Sequence, residues 1–315
     1  MRRRICSRLF RYGVPVSRPD VANDNARLLA AAKQGHWDIV WLEKALTIGP
    51  QTLVGVRKHC PVARIIGFSP DDMNGRHNQS QQFLKALPLY DYFLTTKSYN
   101  VHELGNRGCP NVVFVGNGFD PDTFRPLPVS SEDRIRLGGD VGFIGTYERE
   151  RADLMYYLAT QGIRVRGWGS NWGKMPWQHP NLAIENTPLY GDDFAKACAT
   201  FKINLAFLRK INRDQQTTRS VEIPACGGFM LAERTDEHLE LFEEGEEAEF
   251  FASREELLEK CRHYLRDNQA RIRIAQRGYE RCLRSGYSNS ERLREALRII
   301  LGQGALNYQH VNCCP

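Results

Sequence analysis

The 315 residues are 42% hydrophobic and 25% charged, which excludes a wholly disordered chain and suffices for two ordinary domains. No run approaches the roughly 18–20 apolar residues of a membrane-spanning helix. The arginine-rich start lacks the apolar core of a signal peptide, so a cytoplasmic protein is expected. The formal charge of +6 is uneven: residues 1–130 hold 17 Lys and Arg against 10 Asp and Glu, and residues 131–315 hold 26 against 27.

Residues 1–25 carry five arginines in the first 11 positions and no convincing strand. A basic arm can touch nucleic acid or anionic lipid. No recognition helix or RNA-binding signature accompanies it, so a solvated extension is the simpler reading and nucleic acid is not an expected partner.

The pattern then predicts a helix over 26–36, a strand over 38–42, a helix over 51–59 and a strand over 63–68. A helix over 79–87, a strand over 90–95, a helix over 99–107 and a strand over 111–116 follow. This βα alternation with short connections indicates a parallel, doubly wound sheet. Pro121, Pro126 and Pro128 mark a linker. The alternation restarts with strands over 140–144, 163–167, 203–207, 229–232 and 248–251. Helices are predicted over 150–160, 194–200, 219–226, 237–244, 254–266, 268–284 and 290–301. The expected division is therefore a domain over 1–125, a linker over 126–139, a second domain over 140–302 and a tail over 303–315.

Nine cysteines show no Cys-x-x-Cys pair and no zinc spacing, and read as reduced thiols. No metal site is expected. The nine carboxylates between Glu233 and Glu249 read as a solvated face.

The most informative stretch runs from Asp214 to Phe229. Thr217 or Thr218 suits the N-cap of the helix that follows, and a helix start with free N–H groups attracts phosphate. Arg219 in the first turn opposes the helix dipole unless an anion offsets it. Glu222, one turn on, can accept from a ribose diol. Gly227 and Gly228 allow a tight helix-to-strand exit. The alternative is an ordinary capped helix in which Arg219 and Glu222 pair at i,i+3.

A second phosphate candidate is the turn Gly145-Thr146-Tyr147 with Arg149 or Arg151 near it. A plain βα turn explains it equally well. It lacks the Gly-x-Gly-x-x-Gly of dinucleotide sites. Trp168 and Tyr190 can stack on a nucleobase or pack in the core. After the strand at 63–68, Asp71 or Asp72 can take a proton from an acceptor hydroxyl, or position the acceptor. His77 and Lys97 are weaker candidates of the same kind.

The run from Thr217 through Gly227-Gly228-Phe229 to Phe251 closely resembles the CgeB-like branch of the group 1 glycosyltransferases. So do the segments beginning at Phe68, Leu87 and Val115. The resemblance spans roughly residues 38–300. It implies the GT-B fold, an α/β architecture of two Rossmann-like doubly wound domains facing a cleft, with the donor site in the second half. It also implies a metal-independent hexosyl transfer without a cofactor, from a nucleotide sugar (UDP being the commonest) to an unidentified acceptor. Glu222 then matches the carboxylate that holds the donor ribose. Asp214 falls where the first acid of a Glu-x7-Glu pair stands, though it is Asp. Thr217, Thr218 and Arg219 match the diphosphate cradle. The resemblance also leads to an expected strand and Gly-rich loop before Asp38. These are missing, so the first domain reads as shortened. The shortening makes a non-catalytic sugar-nucleotide or glycan-binding relative one alternative; a nucleotide-sugar epimerase on the same fold is the other.

Overall fold

The computed structural model describes residues 2–14 and 16–302; the expected tail over 303–315 lies outside them. The chain divides into two compact units. Unit 1 takes the described residues up to Gly116, then Ile211–Arg213, and those from Leu293 onward. Unit 2 takes Asn117–Lys210 and Asp214–Arg292.

Unit 1 contains helices α1 (Arg2–Arg11), α2 (Asp24–Gln34), α3 (Pro50–His59), α4 (Gln81–Ala86) and α5 (Ser98–Gly105). Its strands are β1 (Ile39–Glu43), β2 (Arg64–Ser69), β3 (Tyr92–Thr95) and β4 (Val112–Phe114). All pair in parallel, in the order β1-β2-β3-β4. Neighbouring strand residues point to opposite faces. Ile65 and Phe93 therefore join one core with Val56, Phe83 and Leu104, whereas Ile66 and Leu94 face the other way. Each such buried side chain contributes about 1.5–3 kcal/mol. The strands follow chain order without reversal, and β1 is an edge on which every residue is at least partly exposed.

Unit 2 has the six-stranded parallel order β10-β9-β8-β5-β6-β7. Its strands are β5 (Gly139–Ile144), β6 (Val165–Trp168), β7 (Leu182–Ile184), β8 (Phe201–Ala206), β9 (Met230–Glu233) and β10 (Glu249–Phe251). Its helices are α6 (Ser131–Leu137), α7 (Arg149–Thr160), α8 (Gly191–Thr200), α9 (Arg219–Ala225), α10 (Asp236–Leu241), α11 (Arg254–Arg266) and α12 (Asn268–Arg284). Val141, Phe143, Ile203, Leu205 and Leu231 pack against one set of helices through Met155, Leu257 and Ile274. Ile144, Ala206, Met230 and Phe250 face Phe194, Val221 and Ile223 on the other side. A sheet covered on both faces explains why these strands read as continuous apolar runs. A last helix, α13 (Asn289–Ile300), begins in unit 2 and ends in unit 1, where Ala296 and Ile300 cover Ile66 and Leu94.

Three elements differ from the sequence expectation. The arginine-rich start forms α1. The stretch read as linker contains α6, closed by a capping box in which Ser130 Oγ accepts from Asp133 N at 3.0 Å and the Asp133 carboxylate accepts from Ser130 N at 3.2 Å. Pro126 and Pro128 precede that signature and give the stretch the composition of a linker. Strand β7 is three residues long, too short to show a period. Among the described residues no helix is long and apolar enough to cross a membrane, and the seven described cysteines are free thiols.

Candidate functional site

The order of unit 2 reverses between β5 and β8, since β6 and β7 lie to one side of β5 and β8, β9 and β10 to the other. Ligands of such sheets bind outside the carboxyl ends of the strands at that reversal. The loops there are Gly145–Arg149 after β5, Gly169 and Ser170 after β6, Phe207–Lys210 after β8, and the segment 214–218 before α9.

The turn after β5 is held by its neighbours. Gly145 N donates to Trp168 O at 2.8 Å, Tyr147 N to Ser170 O at 3.0 Å, and Trp172 Nε1 to Gly145 O at 2.9 Å. Gly169 has φ +148°, and a Cβ there would stand 1.9 Å from Gly145 O. Only glycine fits. Beneath the turn, Arg151 is 7% exposed, and its Nη1 donates to Thr146 O at 3.2 Å. Burial pushes its pKa down, while Glu148 opposes the shift. Thr146 and Arg149 are exposed above it. Arg149 caps the Trp177 ring at 4.5 Å.

The segment before α9 was expected to cap it through Thr217 or Thr218. Thr218 occupies the N-cap in a helical conformation and its side chain caps nothing. Ser220 Oγ accepts from Thr217 N at 3.0 Å instead. Asn117 donates from N and Nδ2 to Gln216 Oε1, both at 3.2 Å, and Thr235 Oγ1 donates to Gln215 O at 2.6 Å. Asp214, 7% exposed, accepts from Arg209 N at 3.4 Å.

Arg219 pairs with Glu222 at i,i+3, the simpler of the two sequence readings. It also donates from Nε to Ile144 O at 3.3 Å and stacks on Phe194 at 4.2 Å. These contacts join the start of α9 to the end of β5, so the two phosphate candidates share one edge of the sheet. Gly227, at φ +74°, ends α9. Its N–H donates to Pro224 O at 2.8 Å and Gly228 N to Ile223 O at 3.0 Å, a left-handed helix stop.

The aromatic candidates separate. Trp168 belongs to the core, with Arg166 over its ring at 4.8 Å and Nε1 buried without a hydrogen-bond partner. Tyr190 is 77% exposed at the start of α8.

In unit 1, Asp71 and Asp72 follow the carboxyl end of β2. Asp72 is 2% exposed and accepts from Arg213 Nε at 2.8 Å, Arg213 Nη2 at 2.9 Å and Asn100 Nδ2 at 3.0 Å. Burial would raise its pKa, but the bonds to Arg213 and Asn100 outweigh it and hold the carboxyl below its ordinary range. Asp71 pairs with Lys44 and retains 21% side-chain exposure. Lys44 Nζ also donates to Asn78 Oδ1 at 3.2 Å. Lys97 is buried. Sequence reasoning missed Lys44 and Arg213, which are 27 and 141 residues from their acidic partners, and no local spacing links them. Among the described residues no cluster of three or more His, Cys, Asp and Glu side chains stands ready for a metal.

Residues 149–298 match the model of a glycosyl transferase-like family. Several solved structures are similar in fold. Anabaena HepE in complex with UDP-glucose superposes with a TM-score of 0.63 at 13% identity, covering 88% of this chain and 82% of that one. Sucrose-phosphate synthase from Thermosynechococcus elongatus gives 0.64 at 10% identity, covering 89% and 78%. The N-terminal domain of trehalose-6-phosphate phosphatase from Candida albicans gives 0.67 at 12% identity, covering 96% and 81%. No curated protein matches the chain. The fold is thus an α/β GT-B type, built of parallel Rossmann-like sheets.

Proposed function

We propose that this protein is a glycosyltransferase that moves a sugar from a nucleotide-sugar donor, with unit 2 as the donor domain. The observation that carries the reading is the family match over residues 149–298, which includes most of the loops at the strand reversal. The UDP-glucose in the HepE complex makes a UDP-sugar the first donor to test.

In this reading the diphosphate lies against Gly145, Thr146, Tyr147 and the segment Thr217–Arg219, with Arg149 and Arg219 supplying charge. Charge develops on a nucleoside diphosphate as it leaves, and fixed cations stabilise it without reorganising. The ribose diol donates to Glu222 Oε1, the oxygen that Arg219 does not engage. Asp214 faces the donor sugar, and Gly227 and Gly228 hold the exit of α9. Tyr190 offers the accessible aromatic face for the base, and Trp168, covered by Arg166, belongs to the core beneath the site's strands. On the acceptor side Asp71 is the better proton acceptor, because Arg213 keeps Asp72 ionised, buried and fully engaged.

The test is thermal stability against a panel of nucleoside diphosphates and nucleotide sugars, wild type beside Glu222→Ala. A ligand that binds only the folded state adds about 2.7 kcal/mol at a hundredfold excess over its Kd. A shift with one nucleotide that disappears in the variant is the expected result. No shift with any nucleotide sinks the reading.

A further inference from the structure

Helix α1 presents Arg4, Arg8 and Arg11 at spacings of four and three, which puts them on one face. With Ser7, Arg18 and His77 they line a pocket of about 560 Å³ on unit 1. Its walls are built, not incidental. Arg18 Nη2 donates to Ser7 Oγ at 3.0 Å. Its backbone is clamped by Gln82, whose Oε1 accepts from Arg18 N at 2.9 Å and whose Nε2 donates to Arg18 O at 2.5 Å. α1 contains no carboxylate, and among the described residues no ion pair joins Arg4, Arg8 or Arg11 to an acid.

Like charges at this spacing oppose one another on a helix. Their convergence with Arg18 around one concavity concentrates positive potential there, and His77 adds an imidazole to the wall. Burial first, and the Arg11 charge next, push the His77 imidazole below its ordinary pKa, with Asp72 and Asp71 opposing. Guanidinium groups match the several oxygens of a phosphate better than a single charge does.

The pocket is also joined to the acceptor-side carboxylate. His77 Nε2 lies 3.1 Å from Asn78 Nδ2. Asn78 Oδ1 accepts from Lys44, and Lys44 pairs with Asp71.

We propose that the pocket of Arg4, Arg8, Arg11, Arg18 and His77 binds a phosphate group, and that this group belongs to the acceptor. The second clause rests on the glycosyl-transfer reading; the first does not. A soluble sugar phosphate and a lipid phosphate share this chemistry, and the experiment separates them.

The full chain is titrated with inorganic phosphate at constant ionic strength, beside an Arg4→Gln/Arg8→Gln/Arg11→Gln variant and the matching triple-lysine variant. The three arginines are exposed, so the glutamine variant keeps its fold, and an unchanged melting temperature without ligand verifies this. Saturable binding, at least tenfold weaker with glutamine and partly restored with lysine, is expected. A hexose phosphate that binds more tightly than inorganic phosphate identifies a soluble source. Sedimentation with phosphatidic acid vesicles but not phosphatidylcholine vesicles identifies a lipid one. Equal affinity in wild type and glutamine variant overturns the site, as does a response no larger than chloride gives. So does variant-sensitive binding to an oligonucleotide without binding to phosphate. The UDP response of the glutamine variant should be unchanged. Loss of the UDP response in the wild type, with phosphate binding intact, refutes the donor reading and leaves this pocket standing.

Discussion

Ser220 Oγ lies 2.7 Å from His238 Nε2, and that bond ties the start of α9 to α10. His238 Nδ1 stands 2.6 Å from Glu233 O, which can only accept, so Nδ1 carries the proton. Nε2 must then accept from the serine hydroxyl, leaving Ser220 Oγ free to accept from Thr217 N. Burial keeps the ring neutral, with a pKa down to about 4. A histidine outside the expected site thus sets the backbone of Thr217.

Stability should therefore depend on pH in a definite direction. The folded pKa lies below the unfolded value near 6.5, so the contribution is complete above about pH 6.5 and declines as pH falls toward about 4. The decline amounts to roughly 3 kcal/mol. Urea unfolding of wild type and His238→Leu between pH 7 and 4 measures it. Parallel pH profiles in the two proteins would rule the linkage out.

Gly169→Ala should cost about 2–4 kcal/mol, because the new methyl meets Gly145 O at 1.9 Å on a backbone that disfavours side chains. The nucleotide-dependent shift should weaken with it, since Gly145 is displaced. A midpoint change worth less than about 1 kcal/mol would mean that the two loops separate readily.

Asp71 and Asp72 should part company on mutation. Asp71→Asn is expected to lower turnover by about 10²–10⁴-fold while leaving the nucleotide response intact. Asp72→Asn should act chiefly on stability. Steady-state rates measured beside unfolding midpoints decide this, and an Asp71→Asn enzyme with wild-type turnover removes the residue from the chemistry.

The Asp72 and Arg213 pair should show a coupling energy of about 1–3 kcal/mol in a double-mutant cycle. The half-exposed arginine is partly screened by solvent, which argues for the lower part of that range. Additive single mutants would show that Arg213 is a bystander.

Much of this architecture was legible in the sequence. Ile203 and Leu205 announce a buried strand because both faces of the unit 2 sheet are covered, and Gly227-Gly228 announces the end of α9 because only a left-handed turn satisfies its last carbonyls. What escaped depended on partners distant in the chain. Thr217 and Thr218 both suit an N-cap locally, yet the backbone carbonyls of Thr217 and Thr218 already accept from Ser220 N and Val221 N, and Ser220 Oγ, held by His238, accepts from Thr217 N. Trp168 has an aromatic face suited to a base, but Arg166 from its own strand covers it. Asp72 looked like an available base because nothing near it in sequence names Arg213.

Unit 1 is assembled from three separate runs of chain, and the last of them holds Ala296 and Ile300. On the ribosome the unit translated first is therefore the one finished last. Until α13 emerges, Ile66 and Leu94 lack their cover, while almost all of unit 2 has already been synthesised. A nascent or C-terminally clipped chain would present that bare sheet face to chaperones and to other copies of itself. Covering that face is what α13 contributes to the finished unit.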